Sequence, residues 1–174
     1  ALNDQFVDVF LNTARKLVSE NENNLLAKNL LAQYLFFIQE FDESITLYKE
    51  LVEEPNLLNP AEAFNRLAIM HIEKSLVTAK NYARQAYELQ PNSARILDTY
   101  GHIKALQGDY EGSLKMLRDA FARDANDPNI RYHLGYTLAK LNRIDEAKKE
   151  LEYAVNVERP FFKRPQARTL LESL

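Results

Sequence analysis

Residues 100–113 read YGHIKALQGDYEGS, and residues 134–147 read LGYTLAKLNRIDEA. Few letters coincide, yet Gly101 answers to Gly135 and Ser113 to Ala147, each pair 34 residues apart. Ala86, Ala120 and Ala154 repeat that interval, as do Ala79 and Ser113, while Ser44 and Ala79 stand one residue further apart. A period of this length carried by helix-forming residues marks an α-solenoid of stacked helix pairs.

The two halves of each unit follow from local signals. Leu134, Leu138 and Leu141 keep helical spacing until NRID (142–145) breaks the run. Ile144, Ala147, Leu151 and Ala154 then rebuild an apolar stripe on a second helix. Asp127-Pro128 and Asn59-Pro60 place a capping side chain before a proline suited to the first helical turn. The spacing predicts helix pairs over 25–38 with 42–54, 61–73 with 77–89, 94–107 with 110–123, and 128–141 with 144–157. An amphipathic helix over about 4–20 (Phe6, Phe10, Ala14, Leu17, Val18) precedes them, and a closing helix follows Pro165. The units divide the chain at 25–58, 59–93, 94–127 and 128–161, with 1–24 a helix or partial repeat and 162–174 a cap.

Small residues belong where two helices cross closely. In this scheme Ala32 faces Ser44, Ala68 faces Ala79, Gly101 faces Ser113 and Gly135 faces Ala147. Each pair hides only part of its apolar surface, and the next copy covers the remainder.

Bulk properties narrow the function. The chain has 174 residues, net charge −3, 27% charged and 46% hydrophobic residues, and four glycines. It is apolar enough to fold. Its mild acidity disfavours nucleic acid, whose phosphates require clustered Lys and Arg. Without cysteine it has no disulfides, thiolate metal sites or Cys nucleophiles. The longest apolar run, LLAQYLFFI at 30–38, is less than half of the ~20 residues a membrane span needs, so direct membrane insertion is not expected. No signal peptide is visible, and a chain opening at Ala1 is read as a mature form or an excised piece.

TYGHIKALQGDYEGSLKMLRDAFARDAND (99–127) and YHLGYTLAKLNRIDEAKKELEYAV (132–155) resemble the tetratricopeptide repeat (TPR) family, with its small and aromatic residues at set places in a 34-residue unit. The resemblance covers roughly 25–157. It departs from the family at Leu51, where alanine is usual, and at the extra residues of PNLLNP (55–60). It implies an all-α, right-handed solenoid whose first helices line a peptide-binding groove. The positions matching that groove are Asn29, Gln33, Phe36, Phe37, Asn65, Ile69, Glu73, Arg95, Asp98, His102, Asn129, Tyr132, Tyr136 and Lys140. Amides there suit a peptide backbone and rings suit its side chains. Asn65, Arg66 and Arg95 approach the family's clamp for a C-terminal carboxylate, but the matching lysines are missing, so that specialisation is not expected. A narrower likeness rests on ILDTYG (96–101), PNIRYHLGYTLAKL (128–141), DEAKKELE (145–152) and RPQARTLLESL (164–174). These resemble the C-terminal repeats of bacterial polysaccharide-export and protein-sorting TPR proteins, which implies the periplasm or cell envelope, with the cytoplasm as the alternative.

Nothing nominates a reaction. There is no phosphate loop, nucleophile elbow or His-Glu zinc motif, so no catalytic residue, metal or cofactor is expected. His71, His102 and His133 are spaced by 31 residues. Because this is not the repeat, they are expected to lie at different places on their helices and not to converge. Arg159, Lys163, Arg164 and Arg168 beside Phe161 and Phe162 are expected to cap the last repeat rather than bind nucleic acid. The expected function is a non-catalytic scaffold holding a protein or peptide partner during assembly of a larger complex. The alternative is a spacer or oligomerisation segment of a longer array, self-associating through its terminal helices.

Overall fold

The computed structural model describes residues 2–21 and 23–174, and among these it contains ten helices and no strand. They are α1 (Leu2–Glu20), α2 (Leu25–Phe37), α3 (Phe41–Val52), α4 (Pro60–His71), α5 (Leu76–Leu89), α6 (Ala94–Leu106), α7 (Tyr110–Arg123), α8 (Pro128–Lys140), α9 (Ile144–Asn156) and α10 (Arg164–Glu172). The chain is an all-α helical-repeat solenoid. Within units, α2 packs on α3, α4 on α5, α6 on α7 and α8 on α9. Between units, α3 packs on α4, α5 on α6, α7 on α8 and α9 on α10. First helices also meet their own kind, α4 with α6 and α6 with α8.

The helices start where the sequence can satisfy their free N–H groups. Asn24 Oδ1 accepts from Ala27 N, Asn59 Oδ1 from Glu62 N, Ser75 Oγ from Thr78 N, Asp109 Oδ1 from Gly112 N and Asp127 Oδ1 from Asn129 N. The turns inside units one, three and four each pass through a left-handed residue, at Gln39, Gly108 and Asn142. Only Gly108 does so without a side-chain penalty. Val52 ends α3 before the Pro55 stretch, two residues earlier than the spacing suggested, because the residue before a proline disfavours helix.

The small residues are inside. Ala32, Ser44, Ala68, Ala79, Ala86, Ser113, Ala120, Ala147 and Ala154 are all fully buried. Ser44 Oγ donates to Ala32 O at 2.9 Å, a direct contact of the expected pair. Around Gly101 the scheme needs adjusting. A Cβ there would lie 2.9 Å from Leu117 Cγ and 3.3 Å from Met116 Cβ, so its close neighbours come one helical turn beyond Ser113. Ser113 instead binds forward: Thr137 Oγ1 donates to His133 O, so Ser113 Oγ donates to Thr137 Oγ1 at 3.0 Å. One hydroxyl thereby joins α7 to the next unit.

The core is a series of local clusters running from α1 to α10, as expected when each repeat touches only its neighbours. Units three and four carry an added staple. Arg131 lies 4.4 Å from the Phe121 ring centre and 4.1 Å from that of Tyr153, with Glu150 paired at 2.6 Å and Ala125 O accepting at 2.7 Å. Its position corresponds to buried Leu97 one repeat earlier, so a paired cation replaces an aliphatic contact.

The ends depart from expectation. On α1, Leu11 is buried with Val7, Ala14 and Val18 half-buried beside it, whereas Phe10 and Leu17 are exposed and the side chain of Phe6 lies outside the described residues. The apolar stripe is thus rotated from the expected one. At the other end Phe161 is buried and meets Tyr132 at 5.9 Å, while Phe162 stands in solvent. Arg164 donates to Val155 O and Arg159 O, pinning the linker before α10.

Candidate functional site

The residues expected to line a groove fall on α2, α4, α6 and α8, and the structure treats them unequally. Asn29 and Gln33 are half-buried, and Ile69 and Asn129 are exposed. Arg95 is exposed but pairs with Glu62 at 3.3 Å, and Glu62 also holds Arg66 at 3.2 Å. Arg66 in turn covers the half-buried Phe36 ring at 4.8 Å, while Phe37 is open to solvent. Asn129 turns back onto Asp127, with Nδ2 donating to Oδ1 at 2.9 Å. Asn65 is 2% exposed, and its buried Oδ1 has no hydrogen-bond partner. Glu73 and Lys140 are exposed at the far ends of their turns.

The carboxy-terminal members come together. His133 Nδ1 donates to Asp98 Oδ1 at 2.8 Å, joining α8 to α6. His102 and His133 stack with ring centres 3.8 Å apart and planes 12° from parallel. Tyr136 meets His102 edge-on at 6.2 Å, and Tyr132 is tilted against His133 at 5.3 Å. The expectation that the histidines do not converge is therefore corrected for two of the three. Neighbouring first helices meet with a stagger of about one helical turn, so an interval of 31, one repeat less three residues, brings side chains into register. The equal spacing was the signal. His71 stays apart, with Nδ1 bonded to Leu67 O at 2.8 Å and its ring against Tyr82.

The electrostatics of this cluster follow from burial. His102 is held well below the ordinary histidine range, first by loss of water around the ring, then by His133 and by the Lys163 ammonium. Its Nδ1 is buried with no partner. Burial also raises the Tyr132 phenol, with Tyr136 adding to the effect. Parallel stacked imidazoles do not present lone pairs to a common point, and no group of three or more His, Asp or Glu able to hold a metal occurs among the described residues.

Beside the cluster α10 stands off α8 and leaves an open cleft of about 460 Å³. Tyr132 and Tyr136 form one wall, and Pro165, Gln166, Thr169, Leu170 and Ser173 the other. The α10 wall was not among the groove positions, because a repeat pattern that ends at α9 gives no register for the next helix. Among the described residues no helix is long and apolar enough to cross a membrane.

Residues 104–174 match the family model of the tetratricopeptide repeat, and the chain is a TPR solenoid. No curated protein matches the sequence. Among solved structures, TTC0263, a thermophilic TPR protein of Thermus thermophilus, superposes with TM-score 0.71 at 19% identity, covering 99% of this chain and 94% of its own. YrrB, described as a TPR protein with an unusual peptide-binding site, gives TM-score 0.65 at 15% identity over 96% and 86%. SycD, the type III secretion translocator chaperone of Yersinia enterocolitica, gives 0.56 at 18% over 66% and 90%. TPR proteins are protein-interaction scaffolds, typically without catalysis of their own.

Proposed function

We propose that this protein is a non-catalytic scaffold that holds an extended peptide or partner segment along its first helices, α2, α4, α6 and α8, during assembly of a larger complex. One observation carries the reading. Half-exposed amides and rings recur on these helices and end at an open cleft walled by Tyr132 and Tyr136. Such mixed surfaces suit extended peptides, whose backbone takes the amides while side chains take the rings. The peptide site of YrrB and the chaperone role of SycD support it by analogy of fold. The sequence likeness to envelope TPR proteins suggests a bacterial envelope complex as the setting.

Partner capture from the native host tests the assignment. Asn65 and Asp98 are structural partners, so the informative variant changes exposed members: Gln33→Ala, Ile69→Asp and Asn129→Ala together. Loss of the captured protein with unchanged helicity is the expected result, and full retention would refute the groove.

A second reading has its own observation. Leu17 on α1 and Leu26, Leu30 and Phe37 on α2 are each more than half exposed. Leu26, Leu30 and Phe37 follow one helical stripe, and Phe10 reaches Tyr34 on the same helix at 4.4 Å. Self-association through this face would make the chain an oligomerisation segment. Light scattering would then record a dimer that Leu30→Glu with Phe37→Glu dissolves.

A further inference from the structure

The cleft between α8 and α10 has features that specify more than a generic peptide site. Its lining residues carry no formal charge. One wall offers two tyrosines spaced by a helical turn, Tyr132 and Tyr136. The other alternates apolar contact, from Pro165 and Leu170, with hydrogen-bonding groups from Gln166, Thr169 and Ser173. From Pro165 to Ser173 the α10 wall runs roughly 12 Å at 1.5 Å per residue. That length matches three to four residues of extended chain at about 3.4 Å each. The volume lies in the ordinary range for ligand pockets, about 300–1,000 Å³.

Charge appears only at the ends. Lys140 Nζ sits 5.5 Å from the Tyr136 ring centre, one turn beyond the tyrosine wall. Lys163 immediately precedes α10 on the Tyr132 side, close enough for its ammonium to act on His102. Both lysines are exposed, and neither forms an ion pair among the described residues. Glu172 lies on α10 but does not line the cleft. An uncharged aromatic-and-amide slot closed at each end by an unpaired cation is complementary to one arrangement of ligand.

We propose that this cleft binds an extended peptide whose centre is a short proline- or aromatic-containing segment and whose two flanks are acidic. The rings of Tyr132 and Tyr136 stack on the central side chains, and aromatic faces accept proline or an aromatic ring with little loss of rotamer freedom. Gln166, Thr169 and Ser173 bond the peptide backbone. Lys140 and Lys163 meet the carboxylates, which sets direction-independent register and makes binding depend on salt. The inference rests on the groove reading and names the ligand class for its carboxy-terminal end.

The test uses the whole chain and a fluorescein-labelled heptapeptide with a proline–phenylalanine–proline centre and two glutamates at each end. Fluorescence anisotropy should give saturable binding. It should weaken at least about tenfold when lysines replace the glutamates or alanines replace the centre, and fall when salt is raised from about 50 to roughly 500 mM. Thr169→Trp fills the cleft from an exposed position, and Tyr136→Ala removes half of the aromatic wall. Both should reduce binding by at least about tenfold while melting within a few degrees of the parent. Gln33→Ala/Ile69→Asp/Asn129→Ala lies outside the cleft and should bind the heptapeptide normally. No binding at about 1 mM peptide, or equal binding of the lysine-ended analogue, overturns the ligand class. Unchanged binding by both cleft variants overturns the location. If the heptapeptide fails while the triple variant still loses its native partner, this inference falls and the groove reading stands. The opposite pair of results sustains the cleft as a peptide site and refutes the wider groove.

Discussion

Gly135→Leu is expected to lower stability by about 3 kcal/mol and to lower the melting temperature by roughly 6–12 °C, with Gly101→Leu costing about 1–3 kcal/mol. The difference comes from what surrounds each glycine. A Cβ on Gly135 would lie 2.7 Å from Leu151 Cγ and 3.2 Å from the Ala147 carbonyl oxygen. Leu151 and Ala147 are fully buried, so the side chain has no free volume to enter, and the α9 backbone cannot give without moving the helix. At Gly101 the obstacles are the side chains of Leu117 and Met116. Met116 is half-buried and adaptable, which leaves some room for repacking. The substitutions should act locally, because repeats share contacts only with neighbours. Hydrogen exchange in Gly135→Leu should therefore rise across α8–α10 more than across α2–α5. Equal melting temperatures for parent and Gly135→Leu would contradict the close crossing of α8 and α9.

Acid is expected to destabilise the carboxy-terminal half, and His102→Phe is expected to reduce that sensitivity. The sign follows from proton linkage. In the unfolded chain His102 takes a proton near pH 6.5, whereas in the folded chain burial, His133 and Lys163 delay uptake to well below that value. Between these limits the unfolded state binds more protons. Stability from this group is complete above about pH 6.5 and is lost as pH falls toward the folded value, by at most about 1.4 kcal/mol per pH unit. A melting series from about pH 7.5 to 5 would therefore slope downward below about pH 6.5. Phenylalanine keeps a flat ring against His133, 3.8 Å away in the parent, without the titrating nitrogen. A His102→Phe series as steep as the parent's would show that the acid sensitivity arises elsewhere.

Both predictions return to positions that the sequence treats differently. Gly101 and Gly135 stand out in the text because they recur at the repeat interval, and their crowding is the mechanical cause of that recurrence. His102 and His133 do not recur, since the matching positions are Ala68 and Tyr136 for the first and Asn65 and Thr99 for the second. Periodicity is blind to such residues. Their meeting depends on how far one first helix is displaced along its neighbour, a quantity set by side-chain volumes in the whole interface. The α1 stripe teaches the same lesson. Phe10 and Leu17 satisfy helical spacing as well as Leu11 and Val18 do, and only contact with α2 and α3 decides which set is buried.

By itself, then, the sequence determined the helices, their pairing and the small-residue seams, because these depend on residues near one another along the chain and are repeated from unit to unit. Tertiary structure alone decided that Asn65 and Asp98 are buried rather than presented, that two histidines stack across a repeat boundary, and that α10 stands off α8 to open a cleft. Those outcomes depend on the relative placement of neighbouring units. A non-repeating side chain meets its partner through that placement, and no local pattern encodes it.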